Sequence, residues 1–180
     1  ANGSQFGITF DSNVNKVVIT YKDSGNSSQG TAIVGTVDPS DNSISFGSEE
    51  VFETGSTSYT SPTFDSSNNK VVIAYSDAGN SDKGKAVVGT ISGTDITFGT
   101  IVQFEAGATD NISATFDSNS NKVVIAYRDN GNSSYGKAIV GTVSGTNISF
   151  GTEVVFESAN SNFISATFDS NVNKVVIAYY

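Results

Sequence analysis

The segment FDSNVNKVVITY beginning at Phe10 returns as FDSSNNKVVIAY at Phe64, FDSNSNKVVIAY at Phe116 and FDSNVNKVVIAY at Phe168, so successive copies stand 54, 52 and 52 residues apart. The first interval is longer because Asp38, Pro39, Ser40, Asp41, Asn42 and Ser43 replace a four-residue turn, Ser92 to Asp95, in the next copy. A period of this length marks a small supersecondary unit that cannot bury its own apolar faces and must stack on its neighbours. The repeat therefore decides fold class before any single residue does. No residue pattern in the chain identifies a reaction.

The third copy shows how one unit is built. Ile112 to Phe116 is a short run of small and apolar residues leading into a turn of Asp, Ser and Asn, which predicts a strand and a tight hairpin. Lys122 to Tyr127 (KVVIAY) is β-branched and apolar on both faces, the pattern of a strand buried on both sides. After the polar loop RDNGNSSYG, Lys137 to Val143 predicts a third strand. The turn Ser144 to Asn147 then leads to a fourth, Ile148 to Phe156, with Gly151 as the expected site of a bulge.

Four antiparallel strands per repeat predict an all-β chain of β-propeller-type blades, about three and a half repeats. The expected boundaries are 5–57, 58–109, 110–161 and a half blade at 162–180. Pro62 fits an innermost strand with a free edge. Three and a half blades are fewer than a closed ring usually holds, so closure is expected to need further blades or self-association. A parallel solenoid would need shorter coils, and immunoglobulin-like sandwiches need roughly 100 residues per domain.

Composition narrows the function classes. Without cysteine or histidine, thiolate metal sites, disulfides, zinc catalysis and triad hydrolysis in their usual forms are excluded. A net charge of −9 argues against a nucleic-acid partner. No apolar run is long enough for a membrane-spanning helix, so no membrane insertion is expected. The chain starts at Ala1 rather than Met, which is read as an earlier signal or precursor removed. Abundant Gly, Ser, Asn and Thr with low charge suits an extracellular, cell-surface or virion protein.

Candidate ligand-binding residues come from the longer loops after the second strands, YKDSGNSSQG, YSDAGNSDKG and YRDNGNSSYG. They are Tyr21, Asp23, Tyr75, Asp77, Tyr127, Asp129 and Tyr135, since carboxylates and amides beside aromatic rings suit sugars. Turn formation is the competing reading of the same acids, with Gly25, Gly79 and Gly131 supplying the turn conformation. On the opposite turns Asp11, Asn13, Asn15, Asp117, Asn119 and Asn121 alternate oxygen ligands as a calcium loop begins. Lys16 stands where such a loop needs its sixth-position glycine, so Asx turns are preferred there, with calcium the alternative. A glycosidase pair would break repeat symmetry, whereas these acids recur in every copy. No cofactor and no enzymatic activity are expected.

The consensus FDSNxNKVVIAYxDxGNxxxGxAIVGTVSGTxISFG resembles tandem β-propeller repeats of marine phage and environmental microbial surface or tail-associated proteins. The DxG at Asp23, Asp77 and Asp129 is similar to part of the sialidase Asp box, without its preceding Ser and closing aromatic, and implies no sialidase activity. The repeated loops and the lack of catalytic residue types predict recognition or adhesion, with a surface glycan as the multivalent ligand and a structural role in a tail fibre or surface filament as the alternative.

Overall fold

The computed structural model describes residues 2–180. The chain is all-β and its sheets are antiparallel; among the described residues none closes on itself. β1 (Gly3–Asp11), β2 (Lys16–Asp23), β3 (Gln29–Asp38) and the first part of β4 (Ser43–Asp65) pair in order as a meander. β4 then changes partner. Ser56 still pairs with Gln29, but the next residue, Thr57, pairs with Asp77 of β5 (Lys70–Asp77). The second meander runs through β6 (Lys83–Ser92), which carries both β7 (Asp95–Phe98) and the start of β8 (Val102–Asp117) on its far side. β8 repeats the change of partner, from Ala108 on Lys83 to Thr109 on Asp129 of β9 (Lys122–Asp129). β10 (Tyr135–Ser144), β11 (Asn147–Phe150) and β12 (Val154–Asn160) finish the third unit. A hairpin of β13 (Ser165–Asp169) and β14 (Lys174–Ala178) repeats the first two strands once more.

Local turn chemistry explains the hairpins. Between β1 and β2, Asp11 Oδ1 accepts from Asn13 N at 2.9 Å and Val14 N at 3.2 Å, and Asn15 takes the left-handed conformation that returns the chain. Between β6 and β7 a two-residue turn opens on Gly93 with φ +66°, which a II′ hairpin turn requires of its first residue. In the first unit Asp38 and Asp41 close the longer turn by accepting from Ser40 N and Ser43 N.

The core lies between units rather than within them. Val71, Ile73 and Tyr75 of β5 pack against Val18, Ala32, Val34 and Phe52 of the first unit. Val72 and Ala74, on the opposite face of the same strand, join Val123, Ile125 and Tyr127 of the third. All five β5 side chains are fully buried. KVVIAY is thus apolar on both faces because each face meets a different neighbour. At about 1.5–3 kcal/mol for each fully buried Val or Ile, these interfaces are the main source of stability.

The fourth strand departs from expectation. Expected as one strand from Ile148 to Phe156 with a bulge at Gly151, it instead divides into β11 and β12 around Gly151, and into β7 and β8 around Gly99, whereas β4 runs unbroken through Gly47. At two of the three equivalent glycines a neighbouring unit's turn comes close. The backbone carbonyl of Thr94 occupies the space where Gly47 would carry a β-carbon, and that of Thr146 does the same at Gly99. At Gly151 the nearest atom to such a β-carbon is Val140 O, at 3.8 Å.

Neighbouring first strands are stitched by side chains. Ser61 Oγ accepts from Ala114 N and Ser113 Oγ from Ala166 N, each at 2.9 Å. At the preceding junction Gly7 replaces the serine and Pro62 replaces the alanine.

Candidate functional site

The tyrosines and aspartates of the second-strand loops lie in the seams between units. Tyr75 and Tyr127 are fully buried, and Tyr21, Asp23, Asp77 and Asp129 nearly so. Asp23 and Asp129 are held by their own turns, and Asp77 and Asp129 by a lysine. Asp23 Oδ1 accepts from Gly25 N at 2.9 Å and Asp129 Oδ1 from Asn132 N at 3.1 Å. Lys85 Nζ lies 2.5 Å from Asp77 Oδ2, and Lys137 Nζ 2.6 Å from Asp129 Oδ2. Tyr135 is half-buried and faces Asp129 in the β9–β10 register.

A glutamate from the preceding unit completes each seam. Tyr75 Oη donates to Glu53 Oε2 at 3.0 Å, Tyr127 Oη to Glu105 Oε2 at 3.2 Å and Tyr179 Oη to Glu157 Oε2 at 3.1 Å. The other oxygen of each glutamate accepts a backbone N–H, from Gly55, Gly107 or Ala159. Phe52, Phe104 and Phe156 pack on the same tyrosines with ring centroids 5.2 Å apart. Burial, followed by the neighbouring glutamates, pushes the Tyr75 and Tyr127 hydroxyls well above the ordinary tyrosine range. These groups stay neutral donors, and their geometry locks one unit to the next.

The calcium-loop alternates form hairpin turns. Asp117 Oδ1 accepts from Asn119 N at 2.9 Å and Ser120 N at 3.0 Å, as Asp11 does at its own turn. Asn13, Asn15, Asn119 and Asn121 are exposed, and Asn15 and Asn121 hold the left-handed turn position. Among the described residues no group of three acidic, histidine or cysteine side chains is placed to hold a metal.

What faces outward is a ridge on the first strands. Gln5, Tyr59, Asn111 and Phe163 occupy one position of the repeat, with φ of 55°, 52°, 48° and 53°. The left-handed conformation is uncommon for any side chain and an outlier for large aromatic ones. The ladder shifts register there in every full unit, between Ser4 and Gly7, Ser58 and Ser61, and Asp110 and Ser113. Such bulges re-aim side chains. Amide and aromatic alternate along the ridge, and each amide tethers its aromatic neighbour: Tyr59 N donates to Gln5 Oε1 at 2.6 Å, and Phe163 N to Asn111 Oδ1 at 2.9 Å. Tyr59 is 41% and Phe163 79% exposed, each tethered to a side-chain amide of the ridge. Gln5, Phe6, Tyr59, Thr60 and Ile112 line a cleft of about 300 Å³ at the same place.

One charged pair beside the ridge breaks the repeat. Arg128 replaces Lys22 and Ser76, and Asp110 replaces Ser4 and Ser58. The guanidinium holds the carboxylate bidentately, Nε to Oδ1 at 2.7 Å and Nη2 to Oδ2 at 2.5 Å, while Asn130 and Asn111 also donate to it. Burial alone would raise the Asp110 pKa, but these four donors hold it below the usual carboxylate range. Asp110 is therefore an ionised anchor for the strand that carries Asn111. A glycosidase acid needs the opposite shift.

The ridge was missed because left-handed Tyr and Phe run against conformational preference. The available signal was variability at one position within a uniform frame: Gln, Tyr, Asn and Phe stand five residues before the invariant Phe-Asp. No family model matches the chain, and no curated protein is similar enough to be matched with it.

Proposed function

We propose that the meanders are blades of a β-propeller-type array and that the chain is a non-enzymatic recognition module, working outside the cell or on a virion, with glycan as its multivalent ligand. The observation that carries this reading is the ridge of Gln5, Tyr59, Asn111 and Phe163. Four strained residues at one repeat position put exposed rings next to side-chain amides, and strain of this kind collects at functional sites. Aromatic faces take the apolar side of a sugar ring and amides take its hydroxyls. One shallow contact per unit gives weak individual binding and useful avidity.

Glycan-array binding by wild type and by Tyr59→Ala plus Phe163→Ala tests it. Binding that disappears in the variant supports the ridge as the site, and intact binding in a folded variant removes the ridge from the account. Loop variants at Asp77 and Asp129 would not serve, because those acids are buried in the seams and paired with lysines.

A second reading, a building block of a tail fibre or surface filament, is favoured by one observation. Ile8, Ile44 and Phe46 of the first unit are 68%, 45% and 48% exposed, whereas Ile96, the counterpart of Ile44, is 2% exposed beneath its neighbour. Mass measurement across a concentration series tests self-association directly.

A further inference from the structure

We propose that the first unit contains a binding site for an alkylammonium group, formed by Asp23, Glu49 and Thr31 behind an apolar cleft. In the third unit Lys137 Nζ lies 2.6 Å from Asp129 Oδ2 and 2.6 Å from Glu153 Oε1. In the second unit Lys85 sits 2.5 Å from Asp77 Oδ2 in the same way. The first unit keeps both carboxylates of the third, Asp23 and Glu49, and replaces the lysine with Thr31. The internal cation is gone while its two counter-charges remain.

A second, independent feature points to a ligand. Thr31 is 2% exposed, pairs directly with Tyr21 in the β2–β3 register, and its Oγ1 has no hydrogen-bond partner. A buried hydroxyl left unpaired is costly, and an ammonium donor there relieves it. Asp23 is 6% exposed, and Tyr21 Oη donates to Glu49 Oε1 at 2.7 Å, which holds that carboxylate at the rim. Burial, Glu49 and Asp23 together push the Tyr21 hydroxyl well above its ordinary range.

The ligand class follows from the cleft in front. It measures about 270 Å³ and is lined by Phe6, Ile19, Tyr21, Ile33 and Phe46, with Glu49 at its edge. Phe6 and Tyr21 stand 6.0 Å apart, tilted by 42°. Apolar and aromatic walls with the Glu49 carboxylate among them, and Asp23 two residues beyond Tyr21 on β2, suit a cation on a hydrocarbon stem such as a lysine side chain. A bare divalent ion would need about six oxygen ligands.

The test uses the full chain and n-pentylamine, with n-pentanol as the uncharged match and calcium chloride as the metal control. Expected are a saturable rise in melting temperature and calorimetric binding with the amine alone. Thr31→Lys supplies the cation internally and is expected to melt higher than wild type and to lose the amine response. Glu49→Gln, at an exposed position, is expected to bind the amine roughly tenfold more weakly. The proposal is overturned if pentanol matches the amine, if calcium alone gives the shift, or if Thr31→Lys or Glu49→Gln responds like wild type. It is equally overturned if the mass doubles and the dimer ignores the amine, which would assign the cleft to a second copy.

Discussion

The ring carbon Cδ of Pro62 fills the space beside Gly7 that a β-carbon would need. At the two later junctions the same positions are Ser61 with Ala114 and Ser113 with Ala166, joined by hydroxyl-to-amide hydrogen bonds. Proline has no N–H to donate, and the residue that would have accepted it has lost its hydroxyl. The two departures form one interaction replaced as a pair.

Gly7→Ser alone should therefore cost about 1–3 kcal/mol through overpacking against the proline. Gly7→Ser with Pro62→Ala should recover at least ~1 kcal/mol of that by remaking the hydrogen bond. A double-mutant cycle by urea denaturation measures the coupling. Simple additivity would refute the pairing.

Gly99→Ala and Gly151→Ala change the same repeat position with different expected results. The first drives a methyl group into the Thr146 carbonyl and should cost about 3 kcal/mol; the second meets only Val140 O at van der Waals distance and should stay within ~0.5 kcal/mol. Thermal melts of the two variants are sufficient. Equal losses would mean that backbone conformation, and not the neighbouring unit, requires the glycine.

Lys85→Met leaves the largely buried Asp77 and Glu53 carboxylates without their cation. The expected loss is roughly 2–3 kcal/mol, below the cost of breaking a fully buried pair because Lys85 keeps some contact with solvent. Restoring charge with Lys85→Arg should recover part of it, measured by the same denaturation.

Stability should form a plateau against pH with a limb on each side. Burial would raise the Glu53 pKa, but Gly55 N–H, the Tyr75 hydroxyl and Lys85 outweigh it and hold the carboxyl below its usual range. Its contribution is complete above the unfolded value, about 4, and is lost as pH falls through the folded value. For Lys85, burial acts downward, but Asp77 and Glu53 outweigh it and raise the pKa. Burial and Glu53 raise Tyr75. Those contributions are complete below the unfolded values, about 10, and are lost as pH rises through the folded ones. Urea midpoints from pH 3 to 11 should show a shallower acid limb in Glu53→Gln and a shallower alkaline limb in Tyr75→Phe.

Tyr59→Gly separates stability from recognition. Glycine removes the left-handed strain of about 1–2 kcal/mol, offset in part by its larger unfolded-state entropy, so the variant should be as stable as wild type or up to ~1 kcal/mol more. Ligand binding should fall. A variant that is both less stable and unimpaired in binding would return Tyr59 to a packing role.

What was legible in the sequence followed from side-chain type. KVVIAY, apolar on both faces, announced a strand between two neighbours, and Val71 to Tyr75 are buried on both sides. Asp and Asn after each invariant Phe announced the hairpin turns. The seam was harder to read because its partners lie in different units, Glu53 with Tyr75 and Glu105 with Tyr127, each 22 residues apart. That constant offset was available, but only topology explains it. The ridge was least legible, since Tyr59 and Phe163 adopt a conformation that their side chains disfavour.

β4 and β8 each belong to two units at once, changing partner between consecutive residues. A gene segment that adds or removes a unit therefore has to span one whole period, because each unit shares a strand with the next. Insertions of whole periods keep every Glu opposite its Tyr and every Gly beneath its neighbour's turn. A slip of a single residue within β4 or β8 would invert the faces of the rest of that strand, so length varies at the turns, as in the longer Asp38–Ser43 turn, and not at the shared strands.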